Sequence, residues 1–167
     1  RGFSGMGVGL FAGENLNPSF PNGDEVQLFL TFDLNAVPSG KVVSALLSSE
    51  HASVRGMPLK DLGPLRAEEE RYSEFSRSPL GLYEIKPLAR DANCEFATSA
   101  DGPYRCELAE AVQRSLNDSY PLAQFRLLLD RTGDRDGEQD LITFFITDSN
   151  TNQPGILELN ITIEPEG

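Results

Sequence analysis

The sequence predicts an all-β sandwich of antiparallel strands, and three observations support this prediction. Residues 28–35 place apolar side chains on one face and mainly polar side chains on the other, which is typical of a half-buried strand. The 15 Gly and 11 Pro lie between apolar runs rather than in one cluster, as a chain with many turns requires. Only residues 107–116 have helical spacing. The length suits one domain with a substantial core, so we expect a single β-sandwich domain over residues 1–167.

The clearest element is a strand, turn and strand over residues 26–49. Pro38, Ser39 and Gly40 supply the fixed φ and the glycine that a chain reversal uses. We therefore expect residues 26–33 and 41–49 to pair as a hairpin. The first strand and the residue after it place four apolar side chains on one face, those of Leu28, Leu30, Phe32 and Leu34.

The N-terminal pattern, over residues 4–13, alternates Met6, Val8 and Leu10 with glycines. Such a strand has one bulky face and one bare face. Two interpretations remain open at this point. The segment is either an edge strand packed within its own sheet or a strand donated to a neighbouring subunit.

Shorter sequence patterns predict the secondary structure of the remaining segments. The predicted helix places four apolar side chains on one face and ends at Asn117 and Asp118. The charged run 66–71 is predicted to be a solvated turn or one helical turn, and residues 15–24 and 58–64 to be irregular. Further strands are expected at 51–57, 80–85, 124–130, 140–147 and 155–163.

The charge of the chain excludes several classes of partner. The formal net charge is −12, and the 14 Lys and Arg are scattered among 26 acidic residues. Binding to nucleic acid requires a basic surface that displaces counterions from phosphates, so we expect no nucleic-acid partner. No apolar run is long enough for a membrane span. The first residues lack the apolar region of a signal peptide, which suggests a mature or trimmed chain.

The two cysteines, Cys94 and Cys106, flank a strong turn signal at residues 100–103. A chain that reverses there brings the two thiols together in a hairpin over 92–106, so a disulfide is geometrically easy. Two buried free thiols are the alternative. We favour the disulfide, which indicates an extracellular or cell-surface location.

An acidic stretch near residue 135 imitates the spacing of a calcium-binding loop, with Gly137 at the sixth position. Thr132 occupies the first position and Thr143 the twelfth, and neither is an acid, so an EF-hand is rejected. A looser calcium site remains open, against an ordinary hairpin loop rich in Asp and Gly. The candidate ligands are Asp134, Asp136, Glu138 and Asp140.

No arrangement of residues predicts catalysis. His51 is the only histidine, and no nucleophile elbow accompanies it. One histidine and two cysteines make zinc binding unfavourable, and no glycine loop precedes a helix to hold phosphate. We therefore expect no enzyme activity and no cofactor apart from calcium.

Two surface features bear on glycans. The chain has no Trp to form a sugar-binding platform, and Tyr72 and Tyr104 are the tyrosines expected to be exposed. Sequons begin at Asn117 and Asn160 and are candidates for glycosylation, and chance occurrence is the default interpretation of both.

Six short motifs occur in a fixed order along the chain. They are LTFDL (30–34), VPSG (37–40), VVSAL (42–46), ELAEAVQ (107–113), QFRLL (124–128) and PGILEL (154–159). The ordered set resembles the DNRLRE-type secreted jelly-roll domains of bacterial and archaeal surface proteins. The resemblance spans roughly residues 26–163 and implies a jelly-roll β-sandwich of eight to ten strands with one short helix at about 107–116. It also implies an extracellular module without catalytic residues.

Two hypotheses for function follow. The first is a non-catalytic extracellular module for surface contact or adhesion, with a surface glycan or protein as its partner. The second is a structural subunit of an extracellular fibre, which polymerises with copies of itself when Met6, Val8 and Leu10 fill the incomplete sandwich of a neighbour.

Overall fold

The computed structural model describes residues 9–17, 20–72, 81, 86, 88, 94–145 and 156–165. These residues include eleven strands and two helices. The strands are β1 (Gly9–Asn17), β2 (Phe20–Val26), β3 (Leu28–Asp33), β4 (Lys41–Ser49), β5 (Ser53–Arg55), β6 (Leu65–Glu70), β7 (Cys94–Ala97), β8 (Tyr104–Glu107), β9 (Leu122–Leu129), β10 (Asp140–Phe145) and β11 (Glu158–Glu164). The helices are α1 (Pro58–Asp61) and α2 (Ala109–Asn117).

The strands form three antiparallel sheets around one hydrophobic core, which confirms the predicted all-β sandwich. The sheet orders are β2-β1-β10-β5, β11-β4-β8 and β3-β9-β6-β7. Eleven strands are described where eight to ten were expected, and α1 adds a second short helix. The expected helix is confirmed as α2, whose Ala111 and Val112 are buried against the core.

The expected hairpin between β3 and β4 is wrong. β3 pairs with β9, whereas β4 pairs with β11 and β8, so the intervening turn takes the chain from one sheet to another. Side-chain alternation identifies the buried face of a strand but not its backbone partner, which explains the error. Gly40 has a φ of +151°, and a Cβ there would lie 2.5 Å from the carbonyl oxygen of Glu164 in β11.

The largest error concerns the charged run 66–71, which is mostly strand β6 rather than a solvated turn. Leu65 and Ala67 lie in the core, and Glu69 and Glu70 are also buried. The burial of these acids depends on arginines from other elements, described below. The sequence signal therefore failed because the compensating charges are distant in the chain.

The predictions for the other segments are confirmed in part. Strands at 51–57, 124–130, 140–147 and 155–163 are confirmed as β5, β9, β10 and β11 with small shifts of their ends. Residues 15–24 are wrong as a loop, because β1 and β2 cover most of them, and residues 58–64 contain α1. The strand expected at 80–85 lies largely outside the described residues.

A bulge in β4 changes which side chains face the core. Thr162 is opposite Ser44 and Ile163 is opposite Val42, so Val43 has no partner in the ladder. The extra residue reverses the alternation, and both Val42 and Ala45 are buried while Val43 is 48% exposed. The bulge thus allows one strand to keep apolar side chains inward on both of its halves.

The N-terminal strand pairs within its own chain in the structure. β1 lies between β2 and β10, and Leu10 is opposite Phe144. Leu10 packs against the core. Met6 and Val8, the other two candidates for a donated strand, lie outside the described residues. No helix among the described residues is long and apolar enough to cross a membrane.

Candidate functional site

The predicted disulfide between Cys94 and Cys106 is confirmed, with a Cα–Cα distance of 5.9 Å. The two cysteines do not belong to a paired hairpin, however. Cys94 begins β7, which pairs with β6, whereas Cys106 lies in β8, which pairs with β4. The bond therefore joins the edge strands of two different sheets.

A group of three carboxylates lies where α1 meets the start of β10. One oxygen each of Asp61, Asp134 and Asp140 lies within 4.8 Å of the other two. Asp61 ends α1, Asp134 lies in the 130–139 loop, and Asp140 is the first residue of β10. We call these three residues the Asp140 cluster.

The Asp140 cluster includes two of the four predicted calcium ligands. Asp136 and Glu138 are exposed and lie outside it. Oδ1 of Asp136 instead accepts a hydrogen bond of 2.7 Å from the backbone N–H of Glu138, which stabilises the turn. Sequence analysis missed Asp61, because it belongs to a distant segment and no local motif marks it.

Asp140 is the most buried member of the cluster, with 2% of its surface exposed. Its Oδ1 accepts a hydrogen bond of 2.7 Å from the backbone N–H of Met57. Its Oδ2 is buried and has no hydrogen-bond partner among the described residues. Burial raises the pKa of Asp140, the Met57 N–H opposes that rise, and the charges of Asp61, Asp134 and Asp136 add to it.

The backbone holds the three segments close together. Gly56, just after β5, has a φ of +71°, and a Cβ there would lie 2.0 Å from the carbonyl oxygen of Gln139 and 2.4 Å from Oδ1 of Asp140. Only glycine fits this approach. The N–H of Arg131 also donates a 2.8 Å hydrogen bond to the carbonyl of Leu62, directly after α1. The cluster is therefore assembled by close backbone packing.

Glu14 fixes the loop that supplies Asp134. This residue of β1 is directly opposite Asp140 in the ladder and is almost fully buried. Its Oε2 accepts backbone hydrogen bonds from Asp134 (2.9 Å) and Arg135 (3.3 Å). The sequence does not predict this role, because Glu14 stands between the strand predicted at 4–13 and the loop predicted at 15–24.

A second set of buried charges lies on the sheet of β6 and β9. Arg126 Nε donates a 3.0 Å hydrogen bond to Glu68, and its guanidinium also lies 3.2 Å from Glu70. Nearby, Arg114 of α2 donates a 3.0 Å hydrogen bond to the buried Glu69. Each of these three acids thus has a basic partner.

The tyrosines predicted to be exposed are buried, so that prediction is wrong. Tyr72 is 6% exposed, and its hydroxyl donates a 3.0 Å hydrogen bond to the carbonyl of Leu30. Tyr104 is 4% exposed and packs against Phe96 and Phe144. Neither ring forms a platform on which a sugar could stack.

The other candidate residues lie on the surface. His51 is exposed, and the described residues provide its imidazole with no hydroxyl or carboxylate partner. Asn117 and Asn160, the two sequon residues, are both exposed. Gln113 Nε2 donates a 3.0 Å hydrogen bond to the side chain of Asn117 at the end of α2.

Comparisons with protein-family models, with curated proteins and with solved structures found no match to this chain. Its function must therefore be inferred from its own residues and geometry. Three features of the chain bear on its function: the disulfide between two sheets, the acidic net charge and the Asp140 cluster.

Proposed function

We propose that this chain is a non-catalytic extracellular or cell-surface β-sandwich module that contacts a partner at a surface. The observation that supports it most is the Cys94–Cys106 bond between two sheets. Disulfides persist in oxidising compartments and are rare in the reducing cytosol. The resemblance to secreted jelly-roll domains has the same implication. The net charge of −12 argues against a polyanionic partner.

A protein surface is a better partner than a glycan for this module. The chain has no Trp, and Tyr72 and Tyr104, the two tyrosines considered for an aromatic platform, are both buried. In the part of the chain that the structure describes, the sheets instead end in edge strands, among them β2 and β11, whose outer backbone groups would pair with another chain. Pairing at such an edge would provide backbone hydrogen bonds to a partner.

Protease treatment of intact cells that produce the chain tests the location on which this proposal depends. We expect added protease to remove the protein while a cytosolic marker remains intact. Thiol labelling of the protein, denatured without a reductant, should detect no free cysteine. Protection from protease together with two reactive thiols per chain would overturn the proposal.

The fibre hypothesis is the second candidate, and one observation favours it. β1 occupies an interior position between β2 and β10, so the N-terminal segment fills a place that a neighbour's copy could also fill. Against this, Leu10 already packs into the core of its own chain. The proposed module is a monomer whose N-terminal strand completes its own sheet.

Size-exclusion chromatography and negative-stain microscopy of two forms separate these candidates. The module predicts a monomer for the intact chain and a less stable monomer after deletion of residues 1–13. The fibre predicts long assemblies that resist denaturant, and their loss on the same deletion. Such assemblies in the intact chain would replace the module by the fibre.

A further inference from the structure

We infer that Asp61, Asp134 and Asp140 form a calcium site that links α1, the 130–139 loop and the start of β10. The site differs from the calcium loop that the sequence suggests, because it takes one ligand from a distant helix and leaves Asp136 and Glu138 out. It is independent of the proposed surface function.

The first observation is the geometry of the oxygens. One carboxylate oxygen from each residue lies within 4.8 Å of the other two. Calcium binds oxygen at about 2.4 Å, so two ligands on opposite sides of one ion are about 4.8 Å apart. Three oxygens at most 4.8 Å apart have a common centre no more than about 2.8 Å from each. This is close to calcium's range of about 2.3–2.6 Å, so small side-chain shifts would let one ion contact all three carboxylates. Magnesium requires shorter distances of about 2.0–2.1 Å and stricter octahedral geometry.

The second observation is independent of the clustering and concerns the state of Asp140. Its Oδ2 is buried and has no hydrogen-bond partner among the described residues. A buried oxygen without a partner costs free energy, and a bound cation would remove that cost. No ion pair of the described residues includes a member of the cluster. A divalent cation would balance two of its three negative charges.

The third observation is that the ligands are held in place without the ion. The Met57 N–H fixes Oδ1 of Asp140, and Glu14 fixes the backbone of Asp134. Gly56 allows the turn after β5 to contact the backbone at Gln139. Three protein ligands leave several coordination positions to water, so we expect a weak site with a Kd of about 0.1–1 mM, the range of extracellular modules.

The test is a thermal unfolding series on the full, oxidised chain after chelation and dialysis. Calcium, up to about 10 mM, should raise the melting temperature of the wild-type chain progressively, as mass action requires. Asp61→Asn and Asp140→Asn should each abolish this rise. Asp136→Asn and Glu138→Gln are the matched controls, since each removes one charge from the same region, and both should retain at least half of the rise.

Three outcomes would overturn the inference. One is the absence of any calcium-dependent shift or calorimetric heat in the wild-type chain. Another is loss of the response in Asp136→Asn or Glu138→Gln but not in Asp61→Asn, which would place the ion on the loop alone. The third is an equal response to magnesium at the same concentration. Because Asp61 is only half-buried, Asp61→Asn keeps the test valid if Asp140→Asn misfolds.

Discussion

Among the described residues, buried carboxylates occur in two regions, and their charges are balanced in different ways. On the sheet, Glu68 of β6 is directly opposite Arg126 of β9, and Glu70 lies 3.2 Å from the same guanidinium. At the Asp140 cluster, three carboxylates converge and no described basic side chain forms an ion pair with them. The first region contains its own cation, whereas no described residue supplies one to the second.

The difference follows from how each region is assembled. A β ladder fixes which residues are opposite each other, so an arginine on one strand can be matched to acids on the next. The Asp140 cluster is formed where a short helix, a loop and a strand end meet. Its ligands are held mainly by backbone contacts, and this leaves room for an ion from solution.

Arg126→Met should have the largest effect, because it leaves Glu68 and Glu70 without their guanidinium partner. We expect a loss of about 3–5 kcal/mol in the free energy of unfolding. Urea denaturation at neutral pH measures it. Arg66→Met is the matched control, since the Arg66 pairs with Asp130 and Glu95 are largely solvated and should contribute less than about 1 kcal/mol. Similar losses in both variants would contradict the assigned role of Arg126.

Replacing both Cys94 and Cys106 by serine should lower the free energy of unfolding by about 3 kcal/mol, because the unfolded chain loses a cross-link. The bond holds β7, the strand next to β6, so its removal should destabilise the sheet that contains Glu68 and Glu70. The calcium response should persist in this variant, since none of the three ligands lies on the linked strands. Its disappearance would show that the two regions are coupled.

Gly56→Ala should cost about 2–3 kcal/mol, because it combines a positive φ with a Cβ that has no space beside Gln139. Gly137→Ala is the control. It has a similar φ of +88° but no atom within 4 Å of the added Cβ, so it should cost only about 1 kcal/mol. Equal costs in chemical denaturation would mean that the close approach at Gly56 is unimportant.

The smallest expected effect distinguishes the two regions best, because the free energy of unfolding should change in opposite directions in them. With a chelator present, Asp140→Asn should raise the free energy of unfolding by about 1 kcal/mol, because it removes a buried charge that has no cationic partner among the described residues. Glu70→Gln should lower it by about 1–2 kcal/mol, because Arg126 loses an ionic partner. Denaturation of both variants at pH 7 provides the comparison, and a shared sign would contradict the contrast.

Sequence alone was informative where the signal is local. Two-residue alternation located β3, and the turn signal after it indicated β4. Helical spacing located α2, and two cysteines around a turn indicated the disulfide. β6 was missed because Arg114 and Arg126, the partners of its acids, lie 45 and 58 positions away from them. A run of three glutamates has the same local pattern whether it faces solvent or distant arginines.

The candidate site also has one part that a local sequence pattern predicts and one part that it does not. Asp134 and Asp140 were accessible to sequence analysis because they share one acidic stretch. Asp61 was not, since only the packing of α1 against that stretch brings it near. The pairing of β3 and β4 with other strands was likewise invisible, because side-chain alternation contains no information about which backbone is adjacent.

The disulfide between sheets also has a mechanical consequence. When the chain is stretched from its ends, the bond carries the tension directly from Cys94 to Cys106, and the 12-position span between them cannot extend. In single-molecule pulling, oxidised protein should therefore release about 40 Å less contour length on unfolding than reduced protein. At the cell-surface location that we propose, where shear would act on the chain, the covalent bond would limit how far this part of the chain can extend.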